Sequence, residues 1–138
     1  MLVSGEEVKS KAINMGLAVV RIFAGLAIAF GHGLGKIPPS AGFIESVGNL
    51  GFPLPSVFGW AAGISEFFGG LLLAFGLFTR PSTIFMAFTM AVAAFIRHAE
   101  DPFSVKEKAF LYMVIFILFL LSGSGKYGID HFIRKKLS

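Results

Sequence analysis

The chain has 138 residues, of which 55% are hydrophobic and 14% are charged, and it contains no cysteine. The charged fraction is well below the quarter that is usual for soluble domains, so the composition indicates an integral membrane protein with a single domain, residues 1–138. The absence of cysteine excludes disulfides, thiol redox chemistry and thiolate metal sites within this sequence. The net charge of +4 does not indicate nucleic-acid binding, because the basic residues lie at the ends of apolar runs, as in membrane proteins.

The first apolar run predicts a membrane span over residues 12–34, because it is long enough to cross a bilayer at about 1.5 Å per residue. It is too long for a signal-peptide core and lacks a small-residue cleavage site, so we expect the span to be retained. Arg21, Gly25 and His32 are separated by four and seven residues and share one helix face. Lys36 joins this face if the helix continues.

A short interfacial helix is predicted between spans one and two. Two consecutive prolines, Pro38 and Pro39, end the first helix, and residues 40–54 then carry Phe43 and Val47 one helical turn apart beside polar residues. A one-sided apolar pattern of this kind is typical of a helix that lies in the membrane interface.

Span two is predicted over residues 55–78, where Glu66 is the only ionisable side chain. A carboxylate at the hydrocarbon midplane costs about 2.5 to 3.5 kcal/mol on insertion scales, so it requires a partner, a water cavity or a proton. Gly59, Gly63 and Gly70 lie on the helix face of Glu66. Another backbone or a ligand can therefore approach the carboxylate closely.

Two further spans and a basic tail complete the predicted architecture. Span three covers residues 82–97, and span four covers residues 109–122 with Tyr112 one turn inside it. The tail at 126–138 begins with an amphipathic pattern, which predicts a segment on the membrane surface. The fold class is therefore all-α, an integral membrane four-helix bundle with a short interfacial helix between spans one and two.

The distribution of basic residues predicts the orientation. With four spans, both termini and the connection between spans two and three lie on one side of the membrane. That side carries seven lysines and arginines, and the opposite side carries four. The positive-inside rule then predicts that both termini are cytoplasmic.

Arg21 and Glu66 are predicted to form an ion pair across spans one and two. Each lies within about 3 Å of the midpoint of its own predicted span, so their depths match, and each faces glycine on its own helix. One interpretation is a purely structural pair. In the other, the pair forms the floor of a ligand cavity, where Arg21 binds an anionic or carbonyl oxygen and Glu66 can take a proton.

Several motifs in this order resemble the DoxX family. They are Arg21 in the first span, the GHGLGK run at 31–36, the GFPLP loop, the SEFFGGLLLAFGLFTR run around Glu66, and the GSGKYGID run that ends at Asp130. The resemblance extends from about residue 21 to residue 130. The positions that match the polar residues of the family pattern are Arg21, Lys36, Glu66, Glu107, Tyr112 and Asp130.

The resemblance implies a small four-span protein of a bacterial or archaeal cytoplasmic membrane. Members of the family are associated with membrane redox complexes such as those of thiosulfate:quinone oxidoreduction, and with oxidative-stress responses. We therefore expect an accessory subunit or partner of a membrane oxidoreductase complex, embedded in the lipid bilayer, which contacts proteins of that complex or further copies of itself. The expected ligand is a quinone or a similar amphiphile bound between the helices.

The candidate ligand site lies in the outer half of the bundle. We expect a cavity lined by Arg21, His32, Glu66 and Tyr112, with Lys36, His98 and Glu107 at its mouth. Without cysteine and with loosely placed carboxylates, the two histidines do not indicate a metal site. The rival interpretation is a tightly packed bundle in which these groups satisfy one another.

Two other functions compete with the oxidoreductase hypothesis. The first is a membrane scaffold or assembly factor whose charges serve packing only. The second is a small transporter of a lipid-like or acidic solute, which is disfavoured because the sequence shows no evident internal repeat or pair of broken helices. The sequence also lacks a P-loop, a dinucleotide fingerprint and a catalytic serine motif, so it does not indicate catalysis of the kind found in soluble enzymes.

Overall fold

The structure, a computed structural model, describes residues 10–138 and consists of helices joined by short connections. No strand occurs within these residues. The helices are α1 Lys11–Ile28, α2 Ala41–Asn49, α3 Pro55–Phe75, α4 Thr79–Val92, α5 Phe103–Ser122 and α6 Ile129–Leu137. α1 continues through a π-helical turn (Ala29–Gly33) and a 3-10 turn (Leu34–Lys36), and α4 continues through a π-helical turn (Ala93–Arg97).

Local sequence signals define several helix ends. Ser10 and Ser40 precede α1 and α2, and each side-chain oxygen accepts a hydrogen bond from the backbone nitrogen three residues later, which satisfies a free N–H group at the helix start. α3 begins with Pro55, a residue whose fixed φ suits the first helical position. It ends before Gly76, which has a φ of 68° in the left-handed region that favours glycine.

Within residues 10–138, three helical segments are long and apolar enough to cross a membrane: Lys11–Lys36, Pro55–Phe75 and Thr79–Arg97. Their outward side chains are apolar and exposed, as with Phe23 at 74% and Phe85 at 66%. Exposed aromatic surface of this extent is normally covered by lipid or by another protein. The predicted class, an all-α membrane protein, is confirmed.

The number of spans depends on α5. This helix has 20 residues, which is sufficient to span a bilayer. Its first two turns, however, contain Lys106, Glu107 and Lys108, and only the part from Ala109 onward is predominantly apolar. The four-span count therefore stays a prediction.

Glycine contacts determine how α1 packs against α3. A Cβ atom at Gly25 would lie 2.6 Å from the backbone nitrogen of Ala74, and one at Gly70 would lie 2.6 Å from the carbonyl oxygen of Gly25. Further along α1, Gly33 meets the backbone of Phe67 in the same way. Because the residue numbers rise on α1 while they fall on α3, the two helices are antiparallel and their backbones touch.

The hydrophobic core lies where α1, α3, α4 and α5 meet. Its buried side chains are Ile28, Leu73, Met86, Met90, Phe116 and Phe119. α5 returns beside α4, and the short helix α2 packs against α3. The packing leaves space on one side of α3, in the half of the bundle that contains Glu66.

Candidate functional site

Glu66 lies on α3 with a completely buried side chain, and its partner is Lys36. The lysine Nζ lies 2.7 Å from Oε1 and 2.6 Å from Oε2 of the carboxylate. Lys36 comes from the 3-10 turn that follows α1, and its side chain is 26% exposed. A close cation offsets part of the cost of burying a carboxylate.

The glycine face of α3 explains how Lys36 reaches Glu66. A Cβ atom at Gly63, one turn before Glu66, would lie 2.7 Å from the carbonyl oxygen of Lys36. The backbone after α1 therefore occupies the space that a side chain would otherwise fill. The glycine at this position allows the ion pair to form.

The predicted ion pair between Arg21 and Glu66 is wrong, because the two residues lie at different levels of the helix pair. Gly25 lies against Gly70, Arg21 is one turn before Gly25, and Glu66 is one turn before Gly70. In antiparallel helices these displacements point in opposite directions, so they separate the two side chains by about two turns, or about 11 Å. Equal distances from the midpoints of two spans do not imply equal depth when the helices are offset along their axes.

Arg21 is 2% exposed and is paired with backbone carbonyl groups. Its Nη1 donates to the carbonyl oxygens of Leu73 at 3.0 Å and Ala74 at 2.5 Å, and its Nη2 donates to that of Tyr127 at 3.3 Å. Leu73 and Ala74 belong to the last turn of α3, where the helix dipole favours a cation, and the Leu73 carbonyl also accepts from the backbone nitrogen of Gly76. Arg21 therefore connects α1 to the end of α3 and to the segment before α6.

Asp130 completes this polar cluster from the start of α6. Its carboxylate accepts hydrogen bonds from the backbone nitrogens of Phe78 and Thr79, both at 2.9 Å, and its own nitrogen donates to the carbonyl of Gly76 at 2.8 Å. It thus supplies the N-terminal cap of α4, which lacks a cap from its own chain neighbours. This capping role of Asp130 was not predicted from the sequence. The available signal was that no Ser, Thr, Asp or Asn immediately precedes α4, so its N-terminal cap had to come from elsewhere in the chain.

A cavity of about 740 Å³ lies beside the Glu66–Lys36 pair, between α2, α3, α4, α5 and the turns that follow α1. Most of its lining is apolar and includes Phe43, Phe58 and Phe88. Five residues that the sequence predicted for the site line this cavity: His32, Lys36, Glu66, His98 and Tyr112. The structure thus brings together all but two of the predicted site residues.

The two predicted residues outside the lining are Arg21 and Glu107. Arg21 belongs to the cluster at the other end of α3, and Glu107 is exposed on α5. Two basic residues of the lining, Arg97 and Lys108, were not predicted for the site from the sequence. The available signal was their position at the ends of two predicted spans, which we attributed to orientation in the membrane alone.

The polar groups of the cavity gather near the end of α1. The rings of His32 and Tyr112 meet edge to face with their centroids 5.8 Å apart, and His98 Nδ1 lies 2.6 Å from a carboxylate oxygen of Asp101. Ser65, one residue before Glu66, has a buried hydroxyl that has no hydrogen-bond partner within residues 10–138. Buried hydroxyls normally have partners, so this group can bind a polar atom of a ligand.

A metal ion is not suggested by the side chains that surround the cavity. Within the described part of the chain, no group of three or more His, Cys, Asp or Glu residues is arranged to hold one. The chemistry available to the site is therefore hydrogen bonding from His32, Tyr112 and Ser65, together with the charges of Lys36 and Glu66.

The chain is similar to several bacterial proteins. It is 32% identical to "Inner membrane protein YqjF" of Escherichia coli over 133 residues, which cover 91% of this chain and 98% of the relative. It is also 32% identical to "Putative oxidoreductase CatD" of Bacillus subtilis over 127 residues, or 91% of this chain and 92% of that relative. An uncharacterized protein of Haemophilus influenzae is 33% identical over 96 residues, with 64% of this chain and 69% of the relative covered. No solved structure matches the chain.

The profile of the DoxX family matches residues 16–99. This range includes most of α1 and all of α3 and α4, together with Lys36 and Glu66. It is more than half of the 138 residues, and the relatives named above match over most of their length. The chain is therefore a membrane protein that belongs to the DoxX family.

Proposed function

We propose that the cavity beside Glu66 binds a quinone or a similar amphiphile, and that the protein serves as a subunit or partner of a membrane-associated oxidoreductase complex. The relative named CatD carries the word oxidoreductase in its name, which supports the redox context. The ligand part of the proposal rests on the cavity itself.

The observation that carries the proposal is an apolar cavity with polar groups gathered at one end. Its volume of about 740 Å³ lies within the usual range for sites that hold one small molecule. Apolar walls with a few converging donors are typical of such sites. A dry, tightly packed bundle would have filled the space beside Ala61 and Ala62 with larger side chains.

The donors suit a ligand with carbonyl oxygens. Lys36 has three N–H groups and only two acceptor oxygens in the Glu66 carboxylate, while the ring of His32 and the hydroxyl of Tyr112 lie on the same cavity. Further along the cavity, the unpaired hydroxyl of Ser65 offers another donor. A ring that carries carbonyl oxygens would occupy the polar end, and an apolar chain would occupy the rest.

Photolabelling of the purified full-length protein in lipid nanodiscs tests the proposal. With a photoreactive quinone analogue, we expect saturable labelling of the peptides that contain Phe58 and Tyr112. Ala62→Leu adds bulk inside the cavity and should reduce labelling about tenfold, a loss comparable to one well-placed contact. The matched control is Ala12→Leu, since Ala12 is exposed near the start of α1.

Two results would reject the ligand site. One is the absence of saturable labelling in the unmodified protein. The other is equal labelling of the Ala62→Leu protein, the Ala12→Leu protein and the unmodified protein. Either result would leave a scaffold with structural charges as the better function.

We also propose that α5 is the fourth span and that both termini are cytoplasmic. The fourth span is supported by the packing of α5 along α4, which buries Phe116 and Phe119 in the core. The orientation is supported by the excess of basic residues, seven against four, on the side that carries both termini. Alkaline phosphatase, which is active only outside the cytoplasm, should be inactive when fused after Ser138 and active when inserted near Asp101. The reverse pattern would overturn the orientation, and equal activity at both positions would mean that α5 does not span.

A further inference from the structure

We propose that the cavity selects a single-chain amphiphile with an anionic head group, which enters sideways from the lipid past the exposed face of α4. This inference rests on the proposed function, because it needs the same cavity to hold an amphiphile. It goes further by assigning a charge to the head group and a route to the chain.

Cations outnumber anions in the lining of the cavity. Lys36, Arg97 and Lys108 line it, whereas Glu66 is the sole carboxylate that does so. Glu66 is already neutralised by Lys36. The salt bridges found within residues 10–138 are Lys36–Glu66 and His98–Asp101, so neither Arg97 nor Lys108 has a carboxylate partner there.

The acidic residues of the α4–α5 connection do not balance this charge. Glu100, Asp101 and Glu107 are close in sequence to the two unpaired cations, but none of them lines the cavity. Asp101 is engaged with His98, and neither Glu100 nor Glu107 forms a salt bridge within residues 10–138. The polar end of the cavity therefore presents two positive charges that a ligand anion can neutralise.

Lys36 and Lys108 lie at the same end of the cavity, because both are close enough to His32 to act on it electrostatically. Arg97 and Lys108 line the cavity but are exposed, so they belong to its mouth rather than to its interior. There a guanidinium and an ammonium can bind a carboxylate or phosphate through charge-assisted hydrogen bonds. An anionic head group is therefore the best complement for this end.

The length of the cavity suits an extended apolar chain behind the head group. Along α4 and the turn that follows it, the lining extends from Ile84 to His98, which corresponds to about 21 Å of helix. The volume, about 740 Å³, suits one small ligand and therefore favours a single chain over a phospholipid with two. The head group would lie near Arg97, and the chain would extend toward Ile84.

The far part of the cavity opens toward the surrounding lipid. Ile84, Phe85 and Phe88 line the cavity and are also exposed on the outside of a candidate membrane span, with Phe85 at 66% and Phe88 at 61%. An amphiphile dissolved in the bilayer could enter there without leaving the membrane. The entry route therefore favours a lipid-soluble ligand over a water-soluble anion.

The competing explanation for Arg97 and Lys108 is that they are interface anchors. Long basic side chains at span ends commonly extend their charges into the head-group region and bind nothing specific. Lys106 provides the comparison, because it belongs to the same connection but hydrogen-bonds to the carbonyl of Ala99 and does not line the cavity. An anchor role predicts that Lys106 and Lys108 behave alike.

A pair of photoreactive probes that differ only in charge tests the inference. One is a long-chain fatty acid with a diazirine in its chain, and the other is its methyl ester. We expect the full-length protein in nanodiscs to bind the acid about tenfold more tightly than the ester, as a charge-assisted contact provides. Arg97→Gln with Lys108→Gln should remove this preference while leaving the ester unchanged, and Lys106→Gln should preserve it.

Competition separates the two sources of the anion. An alkyl phosphate or an alkyl carboxylate of equal chain length is added together with the photoreactive fatty acid, and the decrease in labelling is compared with the decrease that the methyl ester causes. A larger decrease with either anion supports an anion site, and the stronger of the two competitors identifies the preferred head group. Equal affinity for acid and ester, or loss of the preference with Lys106→Gln, would overturn the inference while the amphiphile site stands. If neither probe nor the quinone analogue labels the cavity, the proposed function fails as well.

Discussion

Arg21 and Glu66 are both buried charges at the contact between α1 and α3, but they are stabilised in different ways. Arg21 donates to three backbone carbonyl oxygens, which belong to fixed positions of the main chain. Glu66 is paired with one flexible side chain, Lys36, which is partly exposed and borders a cavity. The first arrangement holds helix ends together, whereas the second can change when a ligand arrives.

The difference shows that a charge in a membrane helix is not by itself a functional signal. Ionisable groups in spans are a default indication of a functional site, and by that rule Arg21 and Glu66 are equal candidates. The partners distinguish them. Backbone carbonyls at a helix end give Arg21 a structural role, while an ion pair beside an open, apolar space makes Glu66 the candidate for binding.

The largest effect is expected when Arg21 is removed. Arg21→Leu removes a buried charged donor from the carbonyls of Leu73 and Ala74 and should lower the free energy of unfolding by about 3 to 5 kcal/mol, because each hydrogen bond to a charged group contributes about 1.5 to 3 kcal/mol. Thermal unfolding in detergent measures this. Lys11→Leu is the control, because Lys11 is an exposed basic residue of the same helix. Equal melting temperatures for the two variants would show that the carbonyl contacts contribute little.

A smaller effect is expected at the glycine contact beside the ion pair. Gly63→Ala introduces a Cβ atom 2.7 Å from the Lys36 carbonyl oxygen, so the turn after α1 must move, at a cost of about 1 to 3 kcal/mol. Gly35→Ala is the matched control, since a Cβ atom there meets nothing within 4 Å. The comparison uses thermal unfolding together with labelling by the quinone analogue. A Gly63→Ala protein as stable as the control would mean that the close approach is not required.

The smallest expected effect is the coupling free energy between Arg21 and Glu66. Because Arg21 and Glu66 are about two turns apart along the helix pair, the effects of Arg21→Leu and Glu66→Gln should add to within about 0.5 kcal/mol. Lys36→Met and Glu66→Gln should instead be coupled, since their side chains are in direct contact. Two double-mutant cycles on unfolding measure both values. A large Arg21–Glu66 coupling would contradict the separation seen in the structure.

Much of the fold was predictable because apolar run length determines where membrane helices lie. The predicted run at 55–78 corresponds to α3, and the run at 12–34 corresponds to α1 and its π-helical turn. α5 begins at Phe103 rather than at residue 109, because lysine and glutamate are good helix formers that a search for apolar residues does not include. Hydropathy therefore located the apolar part of each helix and missed its polar extension.

The site was less predictable because it depends on how the helices are offset. Residue spacing placed His32 and Lys36 on one face correctly, but the offset between α1 and α3 comes from backbone contacts such as that of Gly25 with Gly70. Such contacts are not visible in either helix alone. The same limit applies to Arg97, whose position on the cavity depends on the packing of α4 and its π-helical turn.

The hydrogen bond from Arg21 to Tyr127 also has a consequence for how the protein is made. The two residues are 106 positions apart, so at a synthesis rate of about 5 to 20 residues per second the arginine enters the membrane about 5 to 20 s before its last acceptor exists. The carbonyls of Leu73 and Ala74 follow Arg21 by 52 and 53 positions, so two of the three acceptors exist about halfway through that interval. A ribosome that stalls before Tyr127 therefore leaves a nascent chain in which Arg21 still lacks the last of the acceptors that it has in the folded protein.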